Sequence, residues 1–204
     1  SSISSDGRHV AFQSSSTNLV AGDTNAAIDI FVYDRNTDTI ERVSVSSLGV
    51  EGNNVSVSPY ISSNGSYVSF DSLATNLVPG GSSGIYIYDR NTDTIEQIGG
   101  SISSISSDGR YVSFESSSTN LVAGDTNAAS DIFVYDRNTD TIERVSVDSS
   151  GTESNGDSSA SSISSDGLYV AFQSTSTNLV AGDTNGLNDI FVSEVIFNVT
   201  PTDI

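Results

Sequence analysis

Apolar residues in this chain gather in short runs, separated by stretches of Ser, Thr, Asn, Gly and Asp. The densest run is Asp29–Asp34 (DIFVYD), apolar at four successive positions. Continuous rather than alternating apolarity predicts a strand covered on both faces. The same run stands at Asp131–Asp136, in shortened form at Asp189–Val192 (DIFV) and in worn form at Gly84–Asp89 (GIYIYD). Upstream of the first copy, Arg8–Ser14 (RHVAFQS) predicts another strand, and Ser1–Ser4 a short one of small residues. Between them, Asp-Gly in Ser5–Gly7 supplies the positive φ that a tight hairpin turn requires. Downstream, Arg35–Thr39 (RNTDT) predicts a turn and Ile40–Val45 (IERVSV) a last strand. There Glu41, Arg42 and Ser44 interrupt the apolar residues, which suits an outer strand with partly wet faces.

This grammar recurs. The phrase I-S-S-[DN]-G-x-x-V-[AS]-F opens at Ile3, Ile61, Ile105 and Ile163, at separations of 58, 44 and 58 residues. The chain of 204 residues is therefore a doubled block of 102. Ser1–Val45 and Ser103–Val147 differ only at His9/Tyr111, Ala11/Ser113, Gln13/Glu115 and Ile28/Ser130, the mark of a recent duplication. Four antiparallel strands in each repeat of roughly 45–50 residues predict an all-β fold, a β-propeller of four four-stranded blades. The blades are expected over about 1–47, 57–100, 101–148 and 159–198, forming one domain over 1–198. A β-sandwich or a β-solenoid would also be all-β, but a solenoid needs shorter coils and a sandwich rarely repeats so faithfully. Ser46–Tyr60 and Asp148–Ser162 are long loops at equivalent points of the two halves, and are candidate interaction segments. After Val192 the DRNTDT turn is missing. The end, Asn198–Ile204, resembles the start of an immunoglobulin- or cadherin-like module, so 199–204 is expected to be a tail leading to a further domain.

Charge narrows the partners. Seven Arg, no Lys and 26 acidic residues give a net charge of −19. Such a surface repels nucleic acid and anionic membrane, and no apolar run reaches the 18 or so residues that a spanning helix needs. It attracts cations, hard ones such as Ca²⁺ above all; equally, acidic charge can serve solubility alone. Without Cys there is neither a disulfide nor a thiol metal site. Met is absent as well, position 1 included, which leads to the expectation of a processed product or a piece of something longer. A composition rich in Ser, Thr, Asn, Gly and Asp and devoid of Cys and Lys resembles large secreted bacterial proteins. The expected place is extracellular or at the cell surface, with the periplasm as the alternative.

Ser-x-Asp-Gly-[RL]-[HY]-Val-[AS]-Phe followed by Asp-Ile-Phe-Val-Tyr-Asp-Arg resembles the TolB-like β-propeller repeat, and all four copies carry the likeness. The TNLVxGDTN insertion before the central strand is similar to a variant in large bacterial secreted and surface proteins. The resemblance implies a propeller fold, a protein- or peptide-binding role and rings of six or more blades. Four copies then imply a compact four-bladed ring, an arc completed by another chain, or a fragment of a longer array. An open arc would expose apolar faces at its ends and associate end to end or into a larger ring.

The one candidate ligand site is Asp-x-Asn-x-x-x-Asp: Asp23, Asn25 and Asp29; Asp125, Asn127 and Asp131; Asp183, Asn185 and Asp189. Oxygen ligands two apart in a tight loop, with a third carboxylate opening the next strand, can share a Ca²⁺ ion. The arrangement resembles the calcium loops of integrin-type propellers, at shorter spacing and with one carboxylate fewer. The alternative is a loop shaped by Asp and Asn side-chain turns without metal, and in the second copy Gly81, Ser82 and Ser83 replace the acidic residues. Leu19 and Val20, with their copies, are expected to fill a gap between blades. Asp34-Arg35, Asp89-Arg90 and Asp136-Arg137 are expected to brace a turn or a neighbouring blade.

Catalysis has no foothold. His9, the one histidine, stands where the other copies have Tyr67, Tyr111 and Tyr169, and reads as an aromatic substitute on a strand surface. Nothing marks a Ser beside it for a triad. Paired carboxylates leave a glycosidase as the enzymatic alternative, yet the sialidase Asp-box is not matched and Trp is absent. The expected function is non-enzymatic: a structural or adhesive repeat module, self-associating or joined to neighbouring domains and stabilised by calcium. The alternative is a protein-binding propeller.

Overall fold

A computed structural model describes residues 1–197, with the backbone alone at Ile102 and Ser103. Asn198 and the expected tail over 199–204 lie outside the described residues. The described chain is all-β, in four antiparallel sheets that follow one another along the sequence. The first blade holds β1 (Ser2–Ile3), β2 (His9–Ser14), β3 (Asp29–Asp34) and β4 (Thr39–Arg42). The second holds β5 (Ser56–Ile61), β6 (Tyr67–Ser72), β7 (Gly84–Asp89) and β8 (Thr94–Gln97). The third holds β9 (Ser101–Ile105), β10 (Tyr111–Ser116), β11 (Asp131–Asp136) and β12 (Thr141–Arg144). In the fourth are β13 (Ser158–Ile163), β14 (Tyr169–Ser174) and β15 (Asp189–Glu194). Strand order in every sheet is sequence order, a simple meander.

One expectation needs correction. Among the described residues the fourth blade has three strands, not four. The cause is local sequence: Val195 follows Glu194 where the other copies carry Arg and the NTDT turn, so the chain leaves the sheet after β15. A cleft of about 650 Å³ lies beside it, lined in part by Glu143, Val145, Phe172, Leu179 and Phe191.

Register fixes which way each side chain points. Phe12 pairs with Phe31 and Ala11 with Val32 in the first blade, so alternate pairs share a face. Ile30 and Val32 face forward and pack with Val68, Phe70, Tyr86 and Tyr88 of the second blade. Phe114, Phe133 and Tyr135 face backward, in one cluster with Ile85 of the second blade. Ile132 and Val134 face forward onto Val170 and Phe172 of the fourth. The central strands β7 and β11 are thus apolar on both faces because each belongs to two cores. In β11, which has a blade on each side, all six residues are buried. Leu77 and Leu179, from the TNLV loops, enter the same clusters as expected.

Ser recurs on the innermost strands, and the pairing of three of them is interrupted by a register shift, which opposite β9 falls between Phe114 and Glu115 of β10. In β5 the register slips between Val57 and Tyr60, with Ser58 at φ 56°; in β13 it slips between Ser159 and Ser162, with Ala160 at φ 54°. Residues held in the left-handed region strengthen local twist, and small side chains make the crowded position tolerable. Successive blades pack through β2 and β3 on β5, β6 and β7 on β9, and β10 and β11 on β13. Among the described residues no strand of the fourth blade packs on the first to a comparable degree.

Candidate functional site

The GDTN loop of the first blade brings Asp23, Asn25 and Asp29 together, as the spacing predicted, but with two residues the motif does not contain. Arg42, from β4, places Nη1 3.4 Å from Asp23 Oδ1 and 3.7 Å from Asp29 Oδ2. The same nitrogen donates to Glu51 Oε2 at 2.9 Å. Nη2 donates to the Gly22 carbonyl at 3.2 Å. Glu51, from the long loop after the blade, accepts the Thr24 amide at 3.0 Å and also the Thr24 hydroxyl. These donors hold the Glu51 carboxyl below its ordinary range, the Thr24 bonds first and Arg42 after them. Asn25 donates Nδ2 to Asp29 Oδ2 at 3.0 Å and to the Gly52 carbonyl at 2.8 Å, while its Oδ1 accepts the Ala27 amide at 2.8 Å. Ser44 donates to Asp29 Oδ1 at 2.6 Å and accepts the Ile30 amide. Asp29 is fully buried, and burial raises its carboxyl above the usual value against the bonds from Ser44 and Asn25.

The third blade repeats the arrangement. Arg144 Nη1 stands 3.4 Å from Asp125, 3.5 Å from Asp131 and 2.9 Å from Glu153. Asn127 donates to Asp131 at 2.9 Å, and Ser146 and Ser154 donate to the same carboxylate at 2.6 and 2.8 Å. In these two loops a guanidinium already supplies the positive charge among the carboxylates, and the asparagine turns its NH₂ rather than its oxygen towards the aspartate. That donor set does not fit a calcium ion. The fourth copy differs: Asn185 donates to Asp189 at 3.1 Å and accepts the Leu187 amide at 2.7 Å. Asp183 and Asp189 have no arginine partner there among the described residues. Nor do three or more His, Asp or Glu side chains converge anywhere among the described residues in a way that could hold a metal.

Arg42, Arg144, Glu51 and Glu153 escaped the motif reading, yet the sequence held a signal for them. In the second copy, where the acidic loop is lost, the arginine is lost too: Gln97 stands in its place. Gln97 donates to the Ser82 carbonyl at 2.7 Å, a neutral substitute for the ionic one. Glu51 and Glu153 lie 102 residues apart, in loops that otherwise share only Ser47, Gly49, Asn53 and Ser56 with their counterparts.

The Asp-Arg pairs divide their work between two blades. Asp34 accepts Arg8 of its own hairpin through two nitrogens, at 3.0 and 2.7 Å, and Asp136 accepts Arg110 likewise. The arginine of each pair reaches backward: Arg90 bonds Glu41 and Arg137 bonds Glu96, each in the preceding blade. Glu143 would be the third acceptor, but the fourth blade offers Val195. Its Oε2 is buried without a partner among the described residues, and burial raises its carboxyl above the usual value.

His9 is not on a strand surface; it is buried at the junction of the first two blades. There it covers Gly65, where a Cβ would overlap its ring, just as Tyr67 covers Gly109 and Tyr111 covers Gly167. Its Nε2 lies 3.6 Å from Asp34 Oδ2. Burial and the nearby Arg90 lower its pKa, so it is poised as a neutral packing group.

Comparison with solved structures agrees with this geometry. TolB from Acinetobacter baumannii superposes with a TM-score of 0.53 at 17% identity, over 95% of this chain and 42% of that one. The putative TolB from Agrobacterium tumefaciens gives 0.53 at 16%, over 96% and 60%. The tricorn protease gives 0.52 at 17%, over 83% of this chain but 14% of its own. The chain thus spans less than two thirds of each, and the likeness establishes a TolB-like β-propeller fold. No family model and no curated protein matches the sequence.

Proposed function

We propose that this TolB-like propeller chain is a non-enzymatic structural or adhesive repeat module, which works by protein contact within an extracellular or cell-surface bacterial assembly. The observation that carries the reading is the blade junction itself. One set of contacts, an aromatic ring over a turn glycine between two apolar strand faces, joins the blades three times in succession. Charged residues of the acidic loops are engaged in the same scaffold, as Arg42 with Asp23, Asp29 and Glu51. Duplicated units and a single reusable junction suit a module that builds length or rings.

A second reading, a peptide- or protein-binding propeller, is favoured by a groove of about 360 Å³ above the shortened loop of the second blade, where Val55, Val57 and Leu73 line an apolar wall. Calcium enters the proposal only at the fourth loop, Asp183, Asn185 and Asp189, which lacks the arginine. Light scattering of the purified chain over a range of concentrations, with calcium and with chelator, tests these points. A mass that climbs above one chain is expected. A monomer at every concentration removes the assembly reading in favour of the binding one, and an identical melting curve in calcium and chelator removes the metal.

A further inference from the structure

The fourth blade ends in half of a junction whose other half is open on the first blade. In β15 the forward-facing Ile190 and Val192 are 72% and 68% exposed, whereas their counterparts Ile30, Val32, Ile132 and Val134 are at most 1% exposed. Tyr169 is 48% exposed, although Tyr67 and Tyr111, at the same position, lie over the turn glycines of the blades that follow them. At the other end Ile3 is 56% exposed, while Ile61 and Ile163, which open the second and fourth blades, are buried against their predecessors. Gly7 is the one turn glycine of the four with no aromatic ring over it. Arg35 matches Arg90 and Arg137 in bonding the carbonyl of its own turn glycine. Among the described residues it lacks the glutamate that each of those takes from the blade before. Arg137 also lies 4.4 Å above the ring of Tyr67 in the preceding blade, a place that Arg35 has no ring to fill.

The repeat says what fits. The fourth blade corresponds to the second, 102 residues earlier, and the second is followed by the third. The first blade is the third blade almost residue for residue. We infer that the chain associates head to tail. The first blade of a second copy docks on the fourth blade as the third docks on the second, with Tyr169 over Gly7, Arg35 above the Tyr169 ring, and Ile190 and Val192 covered. The occupant is a second copy because this one chain carries both halves of the junction, each unpartnered among the described residues. This rests on the assembly reading above and adds to it a polarity and a pair of faces. The contact is heterologous, so it yields a closed ring if the rotation closes and a filament if it does not. The net charge of −19 opposes it over distance, so added salt, which screens that repulsion, should strengthen association.

The test uses Ile3→Asp and Ile190→Asp, both at exposed positions, with a denaturation curve to show that each variant folds like the parent. In sedimentation the parent should exceed the mass of a single 21.3 kDa chain, and each variant alone should stay monomeric. An equimolar mixture should give particles of two chains and no more, since one good head meets one good tail. If the parent assembles and neither substitution weakens it, these faces are wrong while the assembly reading stands. If the parent stays monomeric at several hundred micromolar, both fall. A mixture that remains monomeric, or a single chain whose own Ile3 and Tyr169 positions cross-link within it once changed to cysteine, overturns the pairing in favour of separate sites or a self-closed ring.

Discussion

Strands β11 and β15 share the sequence Asp-Ile-Phe-Val and the same pairing with the strand before them, yet their surroundings differ. Ile132 is fully buried; Ile190 is 72% exposed. Neither hydrophobicity nor strand geometry separates them, only the presence of a following blade. In this fold, burial belongs to the junction rather than to the strand, and a blade is half a core until its neighbour arrives.

Substitution sharpens that contrast most. Ile132→Asp puts a carboxylate into a dry junction and should cost about 4 kcal/mol or more. Ile190→Asp in the monomer should stay within about 0.5 kcal/mol, as surface changes do. Urea denaturation of the two variants decides, and equal losses would break the comparison.

The turn glycines give the next largest difference. Gly109 and Gly7 both have positive φ, at 75° and 70°, so alanine at either should cost about 1–2 kcal/mol from backbone strain. At Gly109 the new Cβ also meets the Tyr67 ring, while at Gly7 the nearest side-chain atom is an Arg35 nitrogen at 3.7 Å. Overpacking should therefore add about 1–3 kcal/mol for Gly109→Ala alone. Thermal melts of both variants measure the gap, and its absence would mean that the ring yields freely.

The smallest effect concerns Glu96 and Glu143, equivalent residues with and without an arginine. Glu96→Gln breaks the pair with Arg137 and should lower stability by up to about 1 kcal/mol. Glu143→Gln should instead raise stability at neutral pH. Burial lifts the folded-state pKa of Glu143 above 4.5, so the folded chain binds its proton more readily than the unfolded one. Its contribution favours folding at pH below that ordinary value and is lost as pH rises through the folded pKa. Glutamine, always neutral, should remove that loss. Stability measured from pH 4 to 7 in parent and variant checks the sign; a Glu143→Gln chain less stable at pH 7 would show a partner for the charge.

How much was legible follows from the same distinction. The strands, the turns and the propeller were readable because each is set by neighbours within a few residues: four apolar positions in DIFVYD, Asp-Gly at Asp6 and Gly7. The junction was not. His9 meets Gly65 across 56 positions, and no local pattern shows that an aromatic residue in one repeat lies over a glycine in the next. The acidic loop was half legible. Its three side chains do meet, but the cation among them is Arg42 from a strand read only as an outer edge. The paired loss of arginine and aspartate in the second copy was the readable trace of that partnership.

The near-identity of the first and third blades has a kinetic side. Over 45 residues the chain presents two almost interchangeable copies, so β10 can recruit β3 as readily as β11 while the sheets form. Exchange of like elements is a characteristic failure of repeat proteins. The four differences are sparse, and three of them, His9/Tyr111, Ala11/Ser113 and Gln13/Glu115, fall in the strand that must choose its partner. Refolding from denaturant should therefore show a slow, sorting-limited fraction, and synthesis from one end, which completes the first blade before the third exists, would spare the chain that ambiguity.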